Sequence, residues 1–305
     1  MSAAGRFVSG FVSILGRPNA GKSTLLNALV GTKLAIVADK PQTTRQAIQG
    51  VLTLENAQVV FLDTPGIHKP VSELNRRMME AVRAALAERD LLLFLADSTQ
   101  DFGPEDRDAV ELAASGGAPL VLLFNKVDIL RQKEKLLPLI EEYNRAHPFL
   151  ESIPISAVTG EGLDVLKKVL LAHLPEGPAY FPSDHLTDCP ERFLAAELIR
   201  EKAIQETRQE LPYSVAVLIE QWEETPRITR VCATIYVERD GQKGIIIGTK
   251  GSRLKSIGTL ARGEMERLLG RRVFLELFVK VRPRWRESRA FLDELERSAI
   301  PSVGE

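Results

Sequence analysis

Residues 16–24 read GRPNAGKST and carry the glycine, lysine and hydroxyl spacing of a phosphate-binding loop between a strand and a helix. Gly16 and Gly21 permit a tight backbone path whose N–H groups can cup phosphates at a helix N-terminus. Lys22 can reach the outer phosphates, and the Ser23 hydroxyl can ligate Mg²⁺. This spacing alone leaves ATP and GTP both open as the nucleotide. The candidate phosphate-binding residues are Gly16, Arg17, Pro18, Asn19, Ala20, Gly21, Lys22, Ser23 and Thr24.

A second motif, DTPG at 63–66, closes another predicted strand. Asp63 is suited to hold Mg²⁺ through water, and the Gly66 N–H is suited to meet the γ-phosphate of a nucleoside triphosphate. The motif carries little information alone, because many strand-to-turn junctions have this form. Its value comes from its place after the phosphate-binding loop in the chain.

The sequence NKVD at 125–128 follows an apolar strand and selects the base. The Asp128 carboxylate can accept hydrogen bonds from N1–H and the N2 amino group of guanine, whereas adenine presents an acceptor at N1. Adenine would leave the buried carboxylate unpaired, so we expect strong discrimination in favour of guanine. ISA at 155–157 closes the next strand and can bring its backbone beside guanine O6. The remaining candidate nucleotide-binding residues are Asp63, Gly66, Asn125, Lys126, Asp128, Ser156 and Ala157.

These motifs need a scaffold in which several strands end at one edge, and residues 1–174 carry such a pattern. Apolar strand-like runs alternate with helical patterns, which predicts an α/β domain with a mostly parallel sheet covered by helices on both faces. Open sheets of this kind bind ligands outside the carboxyl ends of their strands. A short connection at 55–57 predicts one antiparallel hairpin. Predicted strands are 7–15, 51–54, 57–62, 90–96, 119–124 and 152–155, and predicted helices lie near 22–30, 73–88, 104–114, 133–146 and 162–173.

A proline-rich stretch at 174–190 interrupts this pattern, because neither a helix nor a central strand tolerates repeated proline. Beyond it the element order is α-β-β-α-α-β with an extra C-terminal helix, which predicts an α+β domain. The division is therefore a nucleotide-binding domain over 1–174, a linker over 175–190 and a second domain over 191–305. Its predicted elements are a helix (191–210), strands (213–220, 228–238), a helix-turn-helix (244–269), a strand (272–281) and a helix (284–298).

Composition agrees with two globular domains: 305 residues, of which 44% are hydrophobic and 27% charged. The longest apolar runs, such as 91–96, are far shorter than the ~20 residues that cross a bilayer, so we expect no membrane-spanning segment. Cys189 and Cys232 lack the spacing of a zinc site or a disulfide framework. We therefore expect reduced thiols and a cytoplasmic location.

The net charge of −1 conceals a basic segment at 243–286, which has twelve lysines and arginines against three acids. Within it, GTKG at 248–251 precedes a basic amphipathic helix. Glycines at both ends let this backbone approach a nucleic-acid backbone closely, as in the GxxG clamp of KH domains, which holds about four nucleotides of a single strand. The residues alone leave single-stranded RNA and DNA both open, and the candidate RNA-binding residues are Gly248, Thr249, Lys250, Gly251 and Arg253.

Apolar side chains near this turn are the candidates for contacts with bases. Ile245 and Ile247 would line a groove beside the following helix, with core packing as the alternative. Trp285, in the arginine-rich stretch 281–289, either stacks on a base or pins the last helix.

The four guanine-nucleotide motifs and the GxxG sequence together resemble those of the Era family of GTPases, and the resemblance covers nearly the whole chain. It implies a Ras-like P-loop GTPase domain followed by a type II KH domain. Residues 33–45, KLAIVADKPQTTR, resemble the family's first switch segment, in which Thr44 would join Ser23 and Asp63 around Mg²⁺. The resemblance also implies the RNA partner, the 3′ end of 16S ribosomal RNA, and a role in maturation of the 30S subunit.

Ile67 occupies the position where Ras-like enzymes carry a glutamine that orients the attacking water. Isoleucine cannot bond to water, so we expect slow intrinsic hydrolysis of GTP to GDP and phosphate. By analogy with related GTPases that carry asparagine at this loop position, we hypothesise that a K⁺ ion ligated by Asn19 assists; a purely loop-stabilising Asn19 is the alternative. The candidate catalytic residues are Asn19, Lys22, Thr44 and Gly66.

The expected function is a GTP-controlled RNA-binding switch, in which the nucleotide state sets the affinity for RNA and the ribosome. A non-hydrolysing, GTP-dependent RNA-binding scaffold is the alternative that Ile67 keeps open. A third alternative is peripheral association with the inner face of the cell membrane, since basic surfaces attract anionic lipid. We expect the protein to be a monomer.

Overall fold

The chain divides into two units that do not follow a single cut in the sequence. The computed structural model describes residues 7–38, 40, 43–87, 89–207, 211 and 214–297. Within these limits the first unit comprises 1–35, 44–69 and 77–187, and the second comprises 36–43, 70–76 and 188–305. Two short segments of the N-terminal half thus belong to the second unit. Four predicted elements, 73–88, 191–210, 213–220 and 284–298, extend outside the described residues at 88, 208–210, 213 and 298, and the 33–45 segment does so at 39, 41 and 42.

The first half of the chain alternates strands and helices. The strands are β1 (Val8–Gly16), β2 (Ile48–Leu54), β3 (Ala57–Asp63), β4 (Leu91–Asp97), β5 (Leu120–Asn125) and β6 (Glu151–Pro154). The helices are α1 (Lys22–Val30), α2 (Glu73–Ala84), α3 (Pro104–Ala114), α4 (Leu136–Ala146) and α5 (Leu163–His173). The sheet order is β2-β3-β1-β4-β5-β6, with β2 antiparallel to β3 and every other pair parallel. The predicted α/β class and the antiparallel hairpin are both confirmed.

The central strands are buried on both faces, as their continuous apolar sequences predict. All six residues from Leu91 to Ala96 on β4 are buried, although alternate side chains point to opposite faces. Polar positions in these strands are satisfied locally: the Ser13 hydroxyl on β1 donates to the Ala85 carbonyl at 2.6 Å. The carboxyl ends of β1, β3 and β5 therefore form a rigid edge for the loops that follow them.

Residues 175–187, here called the strap, lie along the edge of this sheet. The Val51 N–H on the outermost strand β2 donates to the Leu186 carbonyl at 2.8 Å. The buried Gln58 side chain accepts from the Phe181 N–H and donates to the Phe181 carbonyl, both at 2.9 Å. A proline-rich segment can pack against an edge strand because its carbonyls accept hydrogen bonds and its prolines have no N–H that would need a partner. Most of the stretch assigned to a linker by composition therefore packs on the first unit.

The second unit contains α6 (Glu191–Thr207), β7 (Ala216–Glu224), β8 (Ile228–Val237), α7 (Asp240–Ile247), α8 (Ser252–Leu269), β9 (Arg272–Val281) and α9 (Arg289–Arg297). Its sheet has the order β7-β8-β9, antiparallel between β7 and β8 and parallel between β8 and β9. This is the predicted α-β-β-α-α-β order with an extra C-terminal helix. No helix in the described part of the chain is long and apolar enough to cross a membrane.

Trp285 belongs to the interior of the second unit. Its side chain is 0% exposed, and its indole N–H donates to the Ser214 carbonyl at 2.9 Å. Its ring meets Phe291 of α9 in an edge-to-face contact with a centroid distance of 5.9 Å. Of the two roles considered for Trp285, pinning the last helix is the one observed, because a buried ring has no free face for a base.

Candidate functional site

The phosphate-binding loop joins β1 to α1, and its backbone conformation requires glycine at one position in particular. Gly21 has a φ of 98°, a left-handed value that disfavours other residues. A Cβ at Gly21 would lie 2.2 Å from the Asn125 Nδ2 atom. That amide donates to the Ala20 carbonyl at 2.8 Å, so the loop backbone and the NKVD motif are in direct contact.

Lys22 and Asp63 are both buried beside the loop. The Lys22 ammonium donates to the carbonyls of Arg17 at 3.0 Å and Gly16 at 3.3 Å. Burial lowers the pKa of Lys22 to about 8, although the Asp63 carboxylate opposes this shift. An amine that bonds only to loop carbonyls in this way can exchange them for phosphate oxygens, which are better partners for a cation.

The three predicted metal ligands converge. The Ser23 hydroxyl donates to Asp63 Oδ2 at 2.7 Å and lies 2.8 Å from the Thr44 hydroxyl. Burial raises the pKa of Asp63 to about 6, opposed by the Lys22 charge and by hydrogen bonds from the two hydroxyls. Within the described residues, Asp63 Oδ1 is buried and accepts no hydrogen bond. A buried carboxylate oxygen beside two hydroxyls is a donor set that suits Mg²⁺, so these residues fit the ion.

The base-recognition motifs meet through Asn125. Its side-chain oxygen accepts from the Ala157 N–H at 2.9 Å, while its amide reaches the phosphate-binding loop. Lys126 has a left-handed backbone, φ 71°, and its ammonium bonds to Asp97 Oδ2 at 2.6 Å. Ser156 is fully buried, whereas Asp128 is exposed in a short 3₁₀ turn. The expectation of a buried Asp128 carboxylate is therefore wrong for this structure, because the short turn places the side chain at the surface, where a base can reach it.

The residues expected near the γ-phosphate differ from one another in exposure and in hydrogen-bond partners. The Ile67 N–H donates to the Gly16 carbonyl at 3.1 Å, and the Ile67 side chain packs against the core of the first unit. Asn19 is exposed in a left-handed conformation, φ 64°. Arg17, predicted as a nucleotide-binding residue, directs its guanidinium to the carboxylates of Glu105 and Asp106 on α3. Pro18 and Thr24 are half-buried in the same loop and helix.

In the second unit, the GTKG sequence forms a tight turn between α7 and α8. Gly248 has a φ of 70°, and a Cβ there would lie 2.8 Å from Arg253 Cβ, so the close turn requires glycine. Thr249 and Lys250 are exposed at the tip. The Arg253 guanidinium, predicted to neutralise phosphate, donates to the Ile245 carbonyl at 2.5 Å and so caps the end of α7.

A groove of about 370 Å³ lies beside this turn, between α8 and β9. Its walls differ from the predicted ones, because Ile245 and Ile247 pack against the core of the second unit instead. The sequence signal that was missed is the helical spacing of the α8 residues, three or four apart along one face. The lining residues are Gly251, Leu254, Lys255, Gly258, Thr259, Arg262, Leu275 and Leu277.

Comparison with known families agrees with this two-part architecture. Residues 11–126 match a family described as 50S ribosome-binding GTPase, and residues 210–286 match the KH domain family. The GTPase Era of Geobacter metallireducens is 52% identical over 291 residues, covering 95% of this chain and 97% of the relative. That of Clostridioides difficile is 50% identical over 289 residues, covering 94% and 97%.

Two solved structures are similar over nearly the same extent. Era of Aquifex aeolicus bound to GDP and AlF₄⁻ has a TM-score of 0.91 and 43% identity, covering 95% of this chain and 99% of that chain. A complex of Era with MgGDPNP and nucleotides 1506–1542 of 16S ribosomal RNA has the same TM-score and identity, covering 95% and 98%. These similarities do not favour the non-hydrolysing alternative. The chain belongs to the GTPase Era family and is a GTP hydrolase that uses a P-loop domain followed by a KH domain.

Proposed function

We propose that this GTPase binds the 3′ end of 16S ribosomal RNA as a single strand and assists maturation of the 30S subunit, with its nucleotide state controlling RNA binding. The observation that carries the proposal is the groove beside Gly251, where basic and apolar side chains meet next to a glycine-bounded turn. The similar Era protein that was solved with nucleotides 1506–1542 of 16S ribosomal RNA supports the choice of RNA.

The chemistry of the groove suits unpaired bases. Leu254, Leu275 and Leu277 offer an apolar surface, and the exposed Lys255 and Arg262 offer charges for phosphates. Single-stranded RNA presents base faces and edges that a duplex conceals, so an apolar groove with charged side chains beside it favours a single strand. Gly248, Thr249, Lys250 and Gly251 would then hold the RNA backbone, and we retain this assignment as part of the proposal.

Control by GTP needs a connection from the nucleotide site to the groove, and α6 offers one within the second unit. Glu201 of α6 accepts the Val37 N–H at 2.8 Å, and Arg200 donates to the Thr43 carbonyl. Val37 and Thr43 lie at the two ends of the 36–43 segment. The next residue, Thr44, is one of the three predicted Mg²⁺ ligands, so a change at Thr44 is passed along the chain to α6.

The connection continues from α6 to the helix that lines the groove. The Lys202 ammonium pairs with Glu201 at 2.9 Å and with Glu264 of α8 at 2.5 Å. Lys202 and Glu201 are buried, and a buried charge that loses its partner is strongly unfavourable. Displacement of the 36–43 segment would therefore disturb the Lys202–Glu264 pair and, through it, the position of α8. In this scheme the nucleotide state alters the groove through a short series of paired charges.

For hydrolysis, we propose that Lys22 and the Gly66 N–H stabilise the transferred phosphoryl group, while Ser23, Thr44 and Asp63 hold Mg²⁺. Bound Mg²⁺ would neutralise charge that develops on the phosphate oxygens. Ile67 offers no side-chain group to orient water. We therefore also propose that K⁺, ligated by Asn19, assists hydrolysis by placing a positive charge beside the phosphates. Turnover should then fall when KCl is replaced by NaCl, and equal rates in the two salts would rule out this role of K⁺.

The central test measures the affinity of a short single-stranded RNA that matches the 3′ end of 16S ribosomal RNA, by fluorescence anisotropy. We expect tighter binding with a GTP analogue than with GDP. The variant Lys202→Met should reduce the difference between the two states, because it breaks the link from α6 to α8. Equal affinities in both nucleotide states of the unaltered protein would contradict GTP control while leaving RNA binding itself intact.

We place the protein in the cytoplasm as a monomer that works on the 30S subunit. Association with the membrane surface through the basic 243–286 segment is the competing proposal. Sedimentation with anionic liposomes at physiological salt, with and without the RNA as competitor, separates them. Binding to liposomes that the RNA does not displace would favour the membrane.

A further inference from the structure

A buried carboxylate at the start of α3 connects three elements of the first unit. Asp106 is 5% exposed, and both of its oxygens are engaged. Oδ1 accepts the Tyr143 hydroxyl of α4 at 2.8 Å, and Oδ2 accepts the Arg17 guanidinium at 2.8 Å and the Gly103 N–H at 3.0 Å. A carboxylate at this depth is stable as an anion only when it is paired and fully bonded, as it is here.

Tyr143 fixes the orientation of this carboxylate. Its ring is buried and meets Phe102 and Phe124 edge-on, with centroid distances of 4.7 and 5.6 Å. Burial, together with the adjacent Asp106 charge, keeps the pKa of Tyr143 well above its usual range, so the phenol remains a donor. The hydrogen bond from Tyr143 to Oδ1 therefore orients the Asp106 carboxylate so that Oδ2 faces the Arg17 guanidinium.

Arg17 connects the Asp106 carboxylate to the phosphate-binding loop through its side chain and its backbone. Its guanidinium bonds to Asp106, and its backbone carbonyl accepts from the Lys22 ammonium at 3.0 Å and the Ala20 N–H at 3.4 Å. The carbonyl therefore lies inside the loop that closes around phosphate. A second carboxylate, Glu105, also pairs with the guanidinium, but its side chain is 74% exposed.

We infer that Asp106 and Tyr143 are positioning residues for the phosphate-binding loop, acting through Arg17 to hold its backbone ready for the phosphates of the nucleotide. Ordering a loop costs free energy when a ligand binds, and a loop that is already ordered binds more tightly. We expect the binding energy gained in this way to be specific to the phosphates, because the ion pair of Asp106 leads to Arg17 and the phosphate-binding loop. Arg17 is thus a link to the fold rather than a phosphate ligand through its side chain.

The test compares GDP with guanosine, which carries the base but no phosphate, as ligands of the full-length protein. Asp106→Asn should weaken GDP binding by roughly tenfold while changing guanosine affinity less than about twofold. Tyr143→Phe should give a smaller loss of GDP affinity, because it leaves the Arg17–Asp106 pair in place. Glu105→Gln is the matched control and should leave both affinities unchanged, since an exposed pair contributes little.

A double-mutant cycle separates positioning from general damage to the fold. Arg17→Ala should weaken GDP binding as much as Asp106→Asn, and the double variant should show no further loss. Additive losses, or an equal loss for GDP and guanosine in Asp106→Asn, would overturn the inference. If Asp106→Asn does not fold, variants of Arg17 provide the test. Arg17→Lys should retain most of the GDP affinity that Arg17→Ala loses. Unchanged GDP affinity in Arg17→Ala would also overturn the inference.

Discussion

The nucleotide site and the RNA groove begin with the same backbone device but differ in how far they are buried. Each lies where a glycine in left-handed conformation starts a helix, Gly21 before α1 with φ 98° and Gly251 before α8 with φ 78°. At the first, Asp63 and Asn125 are buried and bonded to neighbouring loops. At the second, the charged side chains are exposed, as Lys255 is.

This difference teaches how each site selects its ligand. Groups with fixed partners, such as Asn125, hold the nucleotide site in one geometry, so a ligand whose donors and acceptors do not match leaves hydrogen-bonding groups unpaired. Exposed charges over an apolar floor recognise a polyanion by its charge and its base faces, and salt screens them readily. We therefore expect nucleotide binding to be selective and weakly dependent on salt, and RNA binding to be tolerant and strongly dependent on salt.

The largest effect should come from the residue that reads the base. Asp128→Asn should lower GTP affinity by roughly 10³-fold, because the guanine amino group loses its acceptor. The same change should favour xanthosine triphosphate, whose C2 carbonyl can accept from the new amide. Measurement of affinity for the two nucleotides tests this, and a variant that keeps its preference for guanine would show that other groups select the base.

The metal ligands provide the next largest effect. Asp63→Asn should reduce GTP turnover about 100-fold, because the amide that replaces the buried carboxylate removes an anionic ligand from the Mg²⁺ site. Phosphate release measured over a range of Mg²⁺ concentrations should show that half-maximal turnover requires more Mg²⁺ than in the unaltered protein. RNA affinity in the absence of nucleotide serves as the control for folding of the second unit and should not change. Full turnover in this variant would remove Asp63 from the metal site.

The RNA groove should respond to charge more gradually. The double variant Lys255→Ala, Arg262→Ala should weaken RNA binding by about tenfold at physiological salt and reduce the slope of affinity against salt by about 2. Arg267→Ala is the matched control, since Arg267 is an exposed arginine of α8 outside the groove. An equal loss of RNA affinity in the control would mean that the basic segment acts through its overall charge and that the groove does not fix the position of the RNA.

The smallest effect on ligand binding should come from Trp285. Trp285→Phe should destabilise the second unit by roughly 2 kcal/mol, because it removes the hydrogen bond to Ser214 and leaves a small cavity. RNA affinity at temperatures where the variant is folded should stay within about twofold of the original. Thermal unfolding measured alongside RNA binding separates the change in stability from the change in RNA affinity. A large loss of affinity with unchanged stability would favour the alternative role of Trp285, stacking on a base.

The sequence predicted that the guanine-nucleotide motifs lie at one edge of the first sheet, because each motif follows a strand and a parallel sheet brings strand ends together. The strands β3, β1 and β5 end at that edge, and Asn125 there bonds to the phosphate-binding loop and to Ala157. The predicted site residues themselves stay a prediction until they are tested by mutation. Glycine positions such as Gly21 were also readable, because their spacing reflects a backbone requirement.

Other features depend on tertiary choices that a single sequence does not encode locally. Strand β9 alternates, with Leu275 and Leu277 on its apolar face and Phe274 and Phe278 between charged residues on the other, but this pattern does not show which apolar residues line an open groove. The structure turns the leucines to the groove and exposes the phenylalanines. Assignment of 36–43 to the second unit rests on the long-range pairs made by α6, and hydrophobic periodicity carries no signal for such pairs.

The strap has a consequence for biosynthesis. Strand β2 ends at residue 54, but the segment that covers its outer edge ends only at residue 187, so 133 residues separate them in the chain. At ribosomal rates of about 5–20 residues per second, that edge stays uncovered for roughly 7–27 seconds during synthesis. A nascent chain stopped at 174 would expose the unpaired outer edge of β2 to other chains. Expression of the GTPase domain alone should therefore extend to Thr187, and the last step in folding of that domain requires the proline-rich segment that composition assigned to a linker.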